Sequence, residues 1–282
     1  MLSSPLQASA PIGVFDSGIG GLSILRALRT ELPGERFVYL ADSGFAPYGE
    51  RDTAHTIARS RAVTQDLRDR HGVKALVIAC NTATTAAIHL LRAEHADLPL
   101  VGVEPAIKPA LARTATGRIG VIGTRGTVGS AKFAALLASV AGRGDVCVQA
   151  CDGLATAIEQ EVLQPSEISA MATAALCARY LGEMGSFGNG PGQIDTLVLG
   201  CTHYIFAAEA LRQALGNAPV ELMENGAPVA RQTRRLLAER GLLSFEAQGE
   251  VAFETTGEPG LLQSAAARWL ALPTLDAAIH QP

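Results

Sequence analysis

Two pseudo-symmetric α/β domains, each a parallel sheet flanked by helices, with an active site in the cleft between them, are expected of this 282-residue chain on three grounds. Apolar runs of buried-strand length alternate with segments of helical period, the pattern of parallel sheets joined by right-handed crossovers. One segment is written twice: Lys74-Ala75-Leu76-Val77-Ile78-Ala79-Cys80 runs into Asn81-Thr82, and Asp195-Thr196-Leu197-Val198-Leu199-Gly200-Cys201 runs into Thr202-His203. A second matched pair precedes these, Ile12-Gly13-Val14-Phe15-Asp16-Ser17-Gly18 before the first cysteine and Ile119-Gly120-Val121-Ile122-Gly123-Thr124-Arg125-Gly126 before the second. The second interval is the longer, and a Gly-rich stretch at 182–193 reads as a surface loop inserted into that copy.

In chain order, strands are expected at 12–15, 37–40, 75–79, 100–103, 119–122, 146–150, 197–199 and 220–223. Ile57, Ser60, Val63 and Leu67 share one face of a helix that stops at His71-Gly72, a C-cap signal. Phe133, Leu136, Leu137 and Val140 mark another, ending at Gly142, and Ile168, Met171, Ala172 and Ala175 a third, opened by the N-cap residue Ser166. The tail adds a strand at Val220 and helices near 229–240 and 261–270. It is too short to bury a core alone and is expected to pack back on the first unit. The division is therefore 1–104 with 218–282 as a discontinuous first domain, and 105–217 as the second.

Composition narrows the partners. Net charge is −4, from 27 acidic and 23 basic residues without a basic cluster, and aromatics are 5% of the chain. Neither a nucleic-acid nor an anionic-membrane surface is expected from that balance; a small polar molecule is. Residues 1–10 lack a basic and then apolar signal pattern, and the longest charge-free apolar stretch falls short of about 18 residues, so a cytoplasmic protein is expected. The five cysteines lack the spacing of a secreted disulfide framework and read as thiols. Oligomeric state is left open, a homodimer included.

Cys80 and Cys201 each close a strand and open a helix, where the partial positive charge of the helix end lowers a thiol pKa and fits it for work as a base. Asn81, Thr82 and Thr202 offer polar side chains and free N–H groups beside each sulfur, a cradle for a carboxylate. Cys147, Cys151 and Cys177 read instead as inert buried residues. Asp16 within Asp16-Ser17-Gly18-Ile19-Gly20-Gly21 suggests a phosphate loop, with Asp42 as a ribose-binding acid. However, Ser23 breaks the glycine fingerprint and Asp16 would repel a pyrophosphate. Asp16 is expected to handle protons or bind an ammonium, or to cap the following helix. His203, two residues beyond Cys201, could tune or relay protons. His55, His71, His89, His95 and His280 read as structural, and no zinc spacing accompanies Cys201 and His203. Ala46-Pro47-Tyr48-Gly49-Glu50-Arg51 indicates a loop at the same sheet edge.

Phe15-Asp16-Ser17-Gly18, Pro47-Tyr48-Gly49, Cys80-Asn81-Thr82, Gly123-Thr124 with Thr127, and Gly200-Cys201-Thr202-His203 resemble, in order and spacing, the motifs of the glutamate racemases. The resemblance spans roughly residues 12–271 and implies a cofactor- and metal-independent enzyme that interconverts L- and D-glutamate to supply D-glutamate for peptidoglycan. It implies Cys80 and Cys201 as the acid/base pair, assisted by Asp16 and His203 respectively. It further implies that Ser17, Tyr48, Gly49, Asn81, Thr82, Thr202 and His203 line the substrate. Glu159 matches an acidic position of the family, although Asp152-Gly153-Leu154-Ala155 stands where the family has a segment with proline and phenylalanine. Glu224-Asn225-Gly226 stands where many members show Asp-Ser-Gly.

Two opposed thiols suit racemisation physically, because one removes the weakly acidic α-hydrogen while the other returns a proton to the opposite face. Without a pyridoxal electron sink, fixed N–H donors and exclusion of water must meet the carbanion charge. An aspartate racemase is the nearest alternative, and a cysteine hydrolase using Cys201, His203 and Asp16 is a more distant one. A two-lobed amino-acid-binding protein is a third.

Overall fold

Continuous apolar runs become central strands because both of their faces are covered by helices. The computed structural model describes residues 6–270 apart from 245, 247 and 248, together with the backbone of a two-residue strand, Ala278–Ile279. All eight expected strands form. The first four are β1 (Ile12–Asp16), β2 (Phe37–Ala41), β3 (Ala75–Ile78) and β4 (Leu100–Gly102), linked by helices α1 (Leu22–Glu31), α2 (Thr53–His71) and α3 (Asn81–Glu94). Every residue of β1, β2 and β3 is buried. Full burial of a Val, Leu or Ile side chain contributes about 1.5–3 kcal/mol, so these runs hold the centre of the sheet.

The second set begins with α4 (Ile107–Arg113) and continues through β5 (Arg118–Gly123), α5 (Arg125–Val128), α6 (Ala131–Ala138) and β6 (Asp145–Ala150). It then runs through α7 (Leu154–Leu163), α8 (Glu167–Met184), β7 (Thr196–Leu199), α9 (Ala208–Leu215) and β8 (Glu221–Met223). The tail supplies α10 (Gly226–Glu239), β9 (Val251–Thr255), α11 (Pro259–Leu270) and β10 (Ala278–Ile279). All pairings are parallel. One sheet has the order β10-β9-β2-β1-β3-β4 and the other β6-β5-β7-β8.

The repeat in the sequence is a repeat in the sheets. β2-β1-β3-β4 in the first matches β6-β5-β7-β8 in the second. The register matches too: Ile12 pairs with Ala75 and Phe15 with Ile78, as Ile119 pairs with Thr196 and Ile122 with Leu199. Gly13 and Gly120 occupy the same place in each copy. A Cβ there would come within 2.9 Å of Leu76 and 2.8 Å of Met184, with Leu197 at 3.0 Å in the second copy.

Local signals behave as their chemistry dictates. Asp52 caps α2 by accepting from His55 N at 2.7 Å, and the helix closes at Gly72 with φ +55°. Ser166 and Ser169 form a reciprocal capping box at the start of α8. Three expectations need correction. The strand at 221–223 pairs with β7, so the chain returns to the first sheet only after Met223, not at residue 218. The return itself does occur, since α10 packs on α1 and β9 pairs with β2. Helix α8 turns Thr173, Cys177, Tyr180, Leu181 and Met184 inward, leaving Ile168 and Met171 exposed. Gly182 lies within that helix, so the inserted loop begins at Gly185. His280 lies outside the described residues.

Two contacts tie distant segments together. Lys74, which opens the repeated segment, is wholly buried in an ion pair with Glu35 at 2.5 Å, off hydrogen-bond alignment. Its ammonium also donates to the carbonyl of Ala8, and Glu35 Oε1 accepts from Ser244 N at 2.8 Å. Trp269 in α11 stacks on Phe206, just beyond His203, with ring centroids 3.4 Å apart. Among the described residues, no helix is long and apolar enough to cross a membrane.

Candidate active site

The carboxyl ends of β1, β3, β5 and β7 converge on one cavity of about 210 Å³, the place where open α/β sheets bind ligands. Asp16, Ser17, Tyr48, Gly49, Cys80, Asn81, Thr82, Cys201, Thr202 and His203, every residue picked out as a candidate, line it. The two cysteines arrive by equivalent routes, each two residues past a strand residue in matched register.

On the first-sheet side, the Cys80 sulfur sits at the N-cap of α3, 3.4 Å from Ala83 N and 3.6 Å from Ser17 Oγ. The N-terminal placement was expected to lower its pKa. Burial first, and the nearby Asp16 charge second, push the thiol well above its ordinary value and outweigh the hydrogen bonds. These surroundings favour the neutral thiol of Cys80. Asp16 is fully buried and accepts from Ser17 N at 2.6 Å, Ser17 Oγ at 3.1 Å and, from the other sheet, Thr202 Oγ1 at 2.8 Å. It does not cap α1, which starts at Leu22 behind Gly21.

Asn81 is 3% exposed, yet neither its amide oxygen nor its nitrogen has a partner. A buried amide costs free energy unless a ligand completes it, so this side chain is built to meet something in the cavity. Thr82 Oγ1 reaches Thr124 Oγ1 at 2.9 Å and Thr127 Oγ1 at 3.3 Å across the cleft. Tyr48 hydrogen-bonds Asp42, which Arg59 holds at 2.9 and 3.0 Å and Thr256 at 2.9 Å. Asp42 thus fixes Tyr48, and the ribose reading has no acid left to use.

On the second-sheet side, Cys201 Sγ lies 3.7 Å from His203 Nδ1, and His203 Nε2 lies 2.9 Å from Glu159 Oε1. Glu159, carried by α7, also accepts from Ile19 N at 3.1 Å. Burial alone would push the His203 ring down. The hydrogen bonds to Cys201 and Glu159 outweigh it and hold the imidazole well above its ordinary value. A charged ring beside the sulfur can give it a proton and, once neutral, take one back. The hydrolase reading drew Asp16 as the third member of this chain; Glu159 stands there instead.

Glycines make these approaches possible. A Cβ on Gly18 would fall 2.0 Å from Glu159 Oε1, and one on Gly20 would fall 2.3 Å from His203 Nδ1. The broken fingerprint is therefore a close-packing loop rather than a phosphate cradle. Cys151 is buried, as its reading as an inert thiol expects, and burial raises its pKa; it also lines the cavity. Cys147 and Cys177 lie in β6 and α8 as expected; Cys177 is buried, whereas Cys147, in an edge strand, is only partly so. No group of three or more His, Cys, Asp or Glu side chains is placed to hold a metal among the described residues.

The charged His203 has a measurable consequence. Because its folded pKa is raised, its stabilisation is complete below the unfolded value of about 6.5 and is lost as pH rises through the folded value. Unfolding free energy should therefore fall as pH climbs above about 6.5, by at most about 1.4 kcal/mol per pH unit, with the melting temperature falling alongside it, and H203N should lack that slope. Parallel curves for the two proteins over that range would contradict a charged ring.

A two-sheet α/β molecule with a thiol at matched strand ends on each side of one cleft defines a recognisable class. The family model described as Asp/Glu/Hydantoin racemase matches residues 12–230, and the chain belongs to that family. It is 45% identical over 257 residues, 91% of this chain and 92% of the relative, to the glutamate racemase of Pseudomonas entomophila strain L48. Among solved structures, glutamate racemase isoform RacE1 of Bacillus anthracis superposes with a TM-score of 0.84 at 29% identity, covering 98% of both chains. The glutamate racemase of Francisella tularensis in complex with D-glutamate superposes with a TM-score of 0.80 at 27% identity, covering 97% of this chain and 98% of that one.

Proposed function

We propose that this protein is a glutamate racemase that interconverts L- and D-glutamate with Cys80 and Cys201 as a two-base pair and so supplies D-glutamate for peptidoglycan. The observation that carries the reading is the pair of thiols at register-equivalent strand ends on one cavity. The thiolate on one face takes the α-hydrogen, and the electron pair stays on the α-carbon as a carbanion conjugated with the carboxylate. The thiol on the other face then delivers its proton to that carbon, inverting it. Running the sequence backwards exchanges the roles of the two sulfurs.

The residues around each sulfur make these steps feasible. The high pKa of Cys80 suits it as the donor, since a buried neutral thiol keeps its proton until a carbanion claims it. A substrate ammonium beside Asp16 would offset the charge that disfavours a thiolate there, so Cys80 becomes a better base once substrate is bound. Asn81, with its unpaired amide, and the N–H groups at the start of α3 receive carboxylate oxygens. On the far side, His203 exchanges the proton of Cys201, and Glu159 holds the ring in place.

The test is isotopic. L-glutamate incubated with the protein in deuterated water should yield D-glutamate carrying deuterium at the α-carbon. Glutamate should exceed aspartate in kcat/KM by about 10–200-fold, the usual discrimination for one methylene. Absence of α-exchange would leave an amino-acid-binding protein, release of a hydrolysis product a hydrolase, and equal kcat/KM for the two acids a broader racemase.

A further inference from the structure

We propose that Glu50 is a positioning residue, a latch that ties the mouth of the cleft to the start of α7 and so sets the placement of Glu159 and His203. The inference rests on the racemase reading and adds a residue that none of the motifs contains. Glu50 closes the short 3-10 turn Tyr48–Glu50, which hangs from the first sheet behind the cavity residues Tyr48 and Gly49. Its Oε1 accepts from Gly153 N at 3.0 Å, although the two residues belong to loops of different sheets. Gly153 is the residue immediately before α7, at φ +75°, with no side-chain cap of its own. A carboxylate at that point satisfies a free N–H of the helix and meets its positive end.

The same helix carries Glu159. Helix α7 is therefore fastened to first-sheet loops at two places, through Glu50 at its start and through Ile19 N to Glu159 further along. The nearby pair of Arg125 and Asp152 joins the start of α5 to the loop before α7, both on the second-sheet side, and cannot serve as a tie across the cleft. Both Glu50 and Gly153 line the cavity, so opening its mouth separates them. Glu50 is exposed. A hydrogen bond in that setting is weak enough to break in each turnover and strong enough to bias the closed form.

E50A, E50D and E50Q test this, with kcat and KM measured in racemisation and glutamate affinity measured by the emission of Trp269. That residue is the only tryptophan of the chain and is stacked beside the His203 loop. E50A should raise KM and the dissociation constant about three- to tenfold without lowering the melting temperature. E50Q, whose amide oxygen still accepts from Gly153, should recover most of the loss. E50D, which keeps the charge but not the reach, should behave like E50A. Unchanged constants in E50A, or retention in E50D with loss in E50Q, overturns the latch while leaving the racemase assignment intact. A wild-type protein that turns over no glutamate refutes both, and is recognised before any variant is compared.

Discussion

Cys80→Ser and Cys201→Ser should each reduce racemisation by about 10²–10⁴-fold, the usual contribution of a positioned acid or base, while melting within a few degrees of the parent. Both cysteines are buried, at 5% and 7% exposure, and serine is close in size, so neither change removes much packing. What it removes is an ionisable group, because a hydroxyl holds its proton far more tightly than a thiol. Each sulfur is needed in both directions, once as base and once as acid. Neither variant should therefore retain full activity toward one enantiomer. Residual α-hydrogen exchange with solvent should survive for one enantiomer in the first variant and for the other in the second, because the remaining thiol faces only one side of the carbon. Near-parental turnover in either variant, measured by circular dichroism, would remove that cysteine from the mechanism.

Lys74→Met should be the most destabilising change away from the cavity. Lys74 is fully buried and Glu35 is 2% exposed, so deleting the ammonium leaves a carboxylate without its counter-charge in the interior. Such a break costs about 3–5 kcal/mol. At about 2–4 °C per kcal/mol for a chain of this size, the midpoint should drop by roughly 6–20 °C. Adding Glu35→Gln should restore most of it, since glutamine keeps an acceptor for Ser244 N and carries no charge to strand. A single variant melting within a degree of the parent would show that solvent reaches the pair.

The eight strands were legible because each is a short apolar run between turn residues, and the duplication marked which segments correspond, although not the order in which they pair. Strand β9 was not. Val251-Ala252-Phe253-Glu254-Thr255 carries a carboxylate mid-strand, tolerable only because Arg70 and His71 meet it from α2. Helix α8 has apolar residues on more than one side, so periodicity alone could not say which side faces the sheet. The ten residues that residue type and motif order picked out line one cavity, but how Cys80 ionises was not legible. A helix end argued for a low pKa, and burial with a neighbouring carboxylate reversed it. Neighbours that act through space, such as Glu50 on Gly153, leave no local pattern, and only the fold brings them together.

The matched register of the two sheets relates one half of the cavity to the other by something close to a rotation. The two forms of glutamate are related by reflection, which no rotation of an L-polypeptide can imitate. The halves must therefore differ where they touch the ligand, and they do: Asp16 and Ser17 attend one sulfur, His203 and Glu159 the other. Affinity and turnover number are thus free to differ between the mirror-image substrates. Their quotient is not, because in achiral water the enantiomers are equal in free energy and the equilibrium constant is unity. Any substitution in either half, however lopsided its chemistry, must change kcat/KM by the same factor in both directions.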